Sequence, residues 1–74
     1  MEEFIKQFAN QFDETDLSVF SAETRFHDLE EWGSLTGFAI LNMIAKQYGV
    51  KISPAELKEC ETVQDVYNIV QAKK

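Results

Sequence analysis

Cysteine occurs once, at Cys60, which excludes an internal disulfide and any metal site built from several thiolates. Histidine also occurs once. His27 has an acidic neighbour in Asp28 but no nucleophile and orienting partner beside it, so we assign it no catalytic role. Proline appears only at Pro54 and glycine at three positions, so little interrupts a helical pattern. The longest apolar run, Leu35 to Tyr48, falls short of the ~20 residues that cross a bilayer. Met1-Glu2-Glu3 offers no basic start for a secretory leader, and the expected location is the cytoplasm, away from membranes. Positive charge is scarce at the front: up to residue 32 only Lys6 and Arg25 face Glu2, Glu3, Asp13, Glu14, Asp16, Glu23, Asp28, Glu30 and Glu31. Such a front repels phosphate backbones, so no nucleic-acid partner is expected, and it attracts basic protein surfaces. The same acids also keep a small domain soluble.

The chain has 74 residues, a net charge of −6 and 45% hydrophobic residues. That apolar content predicts a folded chain. The length allows one domain, 1–74, read as a monomer. A chain of this size buries only about 60% of the surface that it exposes unfolded, so a core and a deep substrate pocket compete for the same residues. This argues against an enzyme.

Helical spacing dominates, and no segment alternates with period two. Phe4, Ile5, Phe8 and Phe12 place one apolar stripe on a helix over residues 2–12. Residues 13–33 read as a long connection in which Leu17, Val19, Phe20, Phe26 and Leu29 pin a loop to the core. A connection of that length implies a function or a short turn of helix within it. A second helix is predicted from Ser34 or Leu35 to Tyr48, with Phe38, Leu41, Ile44, Ala45 and Tyr48 on its buried face. Leu35, Ile40 and Met43 lie off that stripe, so the helix is apolar on more than one side. Gly37 suggests a close approach by another group, and Gly49 supplies a left-handed helix end. Ser53-Pro54-Ala55-Glu56 and Thr62-Val63-Gln64-Asp65 both have the form of a capping box. They open a short third helix, with Cys60 just past its end, and a fourth that frays at Ala72-Lys73-Lys74.

Trp32-Gly33-Ser34-Leu35 sits at the seam between the acidic front and the apolar helix. A serine where a helix begins has two uses. It can cap the free amides of the first turn, or it can present its oxygen to a modifying enzyme.

Phe26-His27-Asp28-Leu29, the short gap to Trp32-Gly33-Ser34-Leu35, the apolar helix after it, Tyr48-Gly49-Val50-Lys51-Ile52-Ser53 and Thr62-Val63-Gln64-Asp65-Val66 together resemble the acyl carrier protein family along nearly the whole chain. The resemblance implies an all-α four-helix bundle of acyl-carrier type, with a long loop between helices 1 and 2 and a short helix 3. It implies a carrier and not a catalyst. Ser34 matches the serine that bears 4'-phosphopantetheine, attached from coenzyme A by a phosphopantetheinyl transferase. The arm then holds acyl or aminoacyl groups as thioesters for loading and transferring enzymes. Gly33, Leu35 and Met43 match surface positions touched by partners, and Phe38, Leu41 and Ile44 match the inner face that lines an acyl pocket. Two departures stand out. Gly33 replaces the family's aspartate, and no acid lies between Leu35 and Tyr48, where the family carries its docking charges. Both point to a specialised carrier. They also leave room for an adaptor of the same fold without the arm. A small hydrolase pairing Ser34 with His27 is the least supported alternative, for want of a third member.

Overall fold

Helix α1 spans Glu2–Ala9 in the computed structural model, which describes residues 1–74. Phe4, Phe8 and Ala9 turn inward, as the apolar stripe requires. The helix stops three residues before its predicted end. There Gln11 N–H donates to Phe8 O and Phe12 N–H to Ala9 O, tighter turns that still deliver Phe12 to the core. Helix α2 covers Ser34–Tyr48, α3 covers Pro54–Glu59 and α4 covers Val63–Lys73. With no strand among them, these four helices form the expected all-α fold of acyl-carrier type.

The helix boundaries have local causes. Gly49 closes α2 with φ +67°, its N–H donating to Ala45 O. Ser53 and Glu56 cap α3 reciprocally, and Thr62 and Asp65 do the same for α4. Two more α4 amides are satisfied from a distance. Val63 N–H donates to Thr24 O at 3.2 Å and Gln64 N–H to Ala22 O at 2.9 Å, which binds the long connection to the start of α4.

That connection contains two 3₁₀ turns, Leu17–Val19 and Phe26–Asp28. Of its predicted anchors, Phe20 and Phe26 are buried and Leu29 packs against the core. Leu17 and Val19 do not serve as anchors, since each is 47% exposed. The aromatic side chains suffice: the Phe8 ring meets Phe4, Phe12, Phe20 and Phe26 at centroid distances of 6.1, 5.9, 6.2 and 5.3 Å. One cluster of buried residues drawn from all four helices and the connection makes the core.

Helix α2 is rotated relative to the predicted stripe. Gly37, Ile40, Met43 and Ile44 face inward, while Phe38 and Ala45 face out and Leu41 and Tyr48 are half-buried. Apolar residues cover so much of its circumference that spacing alone does not select a face. The side lacking a bulky residue, at Gly37, admits Trp32 and Leu57. Three expectations are corrected by this rotation, the first being Ala45, which is exposed and not on the buried face. Met43, at 7% exposure, belongs to the core and not to a surface patch; Phe38, at 59%, is not on an inner face.

Candidate functional site

Gly33, not Ser34, occupies the N-cap of α2. Its backbone is extended (φ −174°, ψ −178°) and its carbonyl accepts the first helical bond from Gly37 N–H at 2.9 Å. Ser34 is therefore the first helical residue. It is exposed, and its hydroxyl forms no hydrogen bond within the chain, so the capping role open to this serine is not the one it fills. The N–H groups of Ser34, Leu35 and Thr36 are likewise unpaired. The positive end of α2 thus lies open beside a free hydroxyl.

The segment leading into Ser34 is held on both sides. Glu31 reaches back to the start of the connection, where its carboxylate accepts from Asp13 N–H at 2.6 Å, Glu14 N–H at 3.0 Å and Thr15 Oγ1 at 2.7 Å. The Thr15 hydroxyl, followed by these amides, holds the Glu31 carboxyl below the usual range. Forward along the chain, Thr36 Oγ1 donates to Glu31 O at 3.1 Å. Trp32 is wedged between them, its ring centroid 4.9 Å from Phe26 and 4.8 Å from His27. Sequence spacing gave no sign of the Glu31 latch, because its partners lie 16–18 residues away.

Ser34 lies at the mouth of a groove of about 370 Å³ between α2 and α3. Trp32, Gly37, Phe38, Leu41 and Leu57 form most of its apolar wall, and Lys58 is its only charged lining residue. Phe38 and Leu41, two of the acyl-pocket candidates, therefore meet there. Ile44 does not: it is fully buried in the core. Among the partner-contact candidates, Gly33 and Leu35 flank the hydroxyl on the surface, Leu35 with 86% exposure, whereas Met43 is withdrawn.

Several other chemistries lack parts. His27 Nε2 is buried with no hydrogen-bond partner, and its ring lies against Phe26 at 4.4 Å. It makes no bond to Ser34, so no nucleophile–base pair forms. No group of three or more His, Cys, Asp or Glu side chains is placed to hold a metal. No helix is long and apolar enough to cross a membrane. Cys60 is buried, with Sγ donating to Glu56 O at 3.4 Å. Burial, then the charges of Asp65, Glu56 and Glu59, pushes its thiol up to about 11.

A family model described as phosphopantetheine attachment site matches residues 3–70. The chain belongs to this family, whose domains carry covalently attached 4'-phosphopantetheine and act as carriers. No curated protein and no solved structure matches it. The local geometry fits that prosthetic group. An exposed, unbonded hydroxyl accepts a phosphodiester without breaking any contact, and unpaired amides with a helix dipole favour the phosphate beside it.

Proposed function

We propose that Ser34 is the attachment residue and that the chain, as one domain over 1–74, is an acyl or aminoacyl carrier. The arm on Ser34 Oγ holds the cargo as a thioester and presents it to loading and transferring enzymes of a specialised biosynthetic pathway. The observation that carries this reading is the free hydroxyl at the first position of α2, within the matched residues 3–70. The chain's own contribution is positional. Glu31 and Trp32 hold the approach to Ser34 in place, and Leu35 and Gly33 present a surface to the transferase. Phe38 takes over the exposed apolar position that Met43 does not fill. We place the carrier in the cytoplasm, as a monomer.

Thiol titration tests the proposal. Before modification the only thiol is the buried Cys60, which reacts slowly at pH 8. After incubation with coenzyme A, magnesium and a broad-specificity phosphopantetheinyl transferase, and removal of the unreacted coenzyme A, one fast-reacting thiol per chain is expected. No fast thiol with several transferases would contradict it. That result would favour the second reading, an adaptor of the same fold without the arm. Gly33 in the aspartate position and the acid-free α2 are the observations on its side.

A further inference from the structure

The first turn of the long connection leaves two large apolar side chains in water. Leu17 and Val19 are each 47% exposed, and the core closes without them. Their turn is held at both ends: Val19 N–H donates to Asp16 O at 3.0 Å, and Thr24 Oγ1 donates to Val19 O at 3.0 Å. Beside it a groove of about 490 Å³ lies between the end of α1 and residues 12–17. Asp13, Glu14 and Asp16 line it together with Leu17, and none of the three carboxylates meets a cation. Arg25, the only lysine or arginine between Lys6 and Lys46, is turned to Asp28 instead, at 3.6 Å. Exposed apolar side chains with charge at their rim are the anatomy of a docking surface.

This patch is tied to the site. The Glu31 carboxylate binds the Asp13 and Glu14 N–H groups and the Thr15 hydroxyl, and Glu31 stands three positions before Ser34. A protein seated on residues 13–19 is therefore in fixed register with the Ser34 hydroxyl. Charge selects the occupant. A second copy of the chain would set acids against acids, and an anionic membrane would be repelled in the same way. Helix α2 offers Leu35 and Phe38 but no acid, so it does not attract a basic partner. Taking Ser34 as the attachment residue, we infer that the enzymes exchanging cargo with the arm dock on residues 13–19. They do so through a helix that places lysine or arginine in the groove and an apolar side chain against Leu17 and Val19.

The probe is an amphipathic helical peptide of lysine and leucine, titrated into the nitrogen-15-labelled full chain. Amide shifts should centre on residues 13–19, and binding should weaken at least ten-fold between 50 mM and 300 mM salt. The same peptide with glutamate in place of lysine should not bind. Leu17→Ser combined with Val19→Ser keeps every acid; it should hold the melting temperature within about 3 °C and bind at least five-fold more weakly. Asp13→Asn combined with Glu14→Gln keeps the backbone N–H groups that Glu31 uses and should also bind at least five-fold more weakly. No shifts, shifts centred on Leu35 and Phe38, or an unchanged affinity in the serine variant overturns the inference. These readouts need no transferase, so they separate a failure of this surface from a failure of Ser34 as the attachment residue.

Discussion

Restoring an aspartate at position 33 should stabilise the chain and speed its modification together. The N-cap of α2 has no side-chain bond, and the three amides that follow it are unpaired. A Cβ built on Gly33 has no atom within 4 Å, and its extended backbone suits any residue, so Gly33→Asp introduces neither clash nor strain. A carboxylate there can accept from the Leu35 or Thr36 N–H. Replacing a glycine cap by aspartate is worth a few tenths of a kcal/mol, and the helix dipole adds about 0.3–1 kcal/mol. Nearby Asp28, Glu30 and Glu31 oppose this by repulsion that salt screens. The net gain is about 0.5–1 kcal/mol, which for a domain of this size raises the melting temperature by roughly 3–6 °C. Thermal unfolding followed by circular dichroism in 0.15 M salt measures it. If Ser34 is the attachment residue, as proposed, the same variant should also accept phosphopantetheine faster, because the carboxylate would sit beside its hydroxyl. An unchanged or lower melting temperature would refute the assignment of Gly33 as an open N-cap. A stabilised variant with an unchanged rate would refute its part in recognition.

Four further outcomes follow from the packing and the charges. Gly37→Ala should raise stability by about 1 kcal/mol in thermal melts, since the methyl meets only ordinary contacts and glycine is poor in helix interiors. Phe8→Ala should cost about 3–5 kcal/mol, a large share of the roughly 4–11 kcal/mol available to a chain this long, and leave it largely unfolded at 37 °C by circular dichroism. Leu35→Ala, by contrast, should leave the melting temperature within about 2 °C of the parent and slow the transferase several-fold, separating a contact residue from a packing residue. Acid should unfold the chain through Glu31, Glu56 and Asp65. Their carboxyls are held below the usual range: Glu31 by the Thr15 hydroxyl, Glu56 by the Ser53 N–H and then Lys73, Asp65 by the Glu61 and Thr62 N–H groups. Depressed carboxylates stabilise fully above their unfolded values and lose that contribution as pH falls through the folded ones. Melting temperature should therefore be flat above about pH 5 and drop below about pH 4, and Glu31→Gln should flatten part of that drop.

The parts of the fold legible in the sequence are those with local causes. Ser53/Glu56 and Thr62/Asp65 lie within one helical turn of each other, and Gly49 ends α2 by its own backbone conformation. The position of Ser34 at the start of α2 was legible for the same reason. The rotation of α2 was not, because Leu35, Phe38, Ile40, Leu41, Met43 and Ile44 offer two apolar faces. Packing against the rest of the bundle, with Trp32 and Leu57 beside Gly37, chooses between them. That choice puts Met43 inside and Phe38 outside, while Ile44 stays on the buried face where it was expected. The Glu31 latch and the bonds from Val63 and Gln64 to the connection were invisible for a related reason. Each joins residues far apart in the chain, so no short window contains both partners.

Intact mass spectrometry of the chain after incubation with coenzyme A, magnesium and a transferase addresses the attachment of the arm most directly. One phosphopantetheine group should be gained, mapped to Ser34 by fragmentation and abolished by Ser34→Ala. A group found on any other residue, or the same gain in Ser34→Ala, would contradict it.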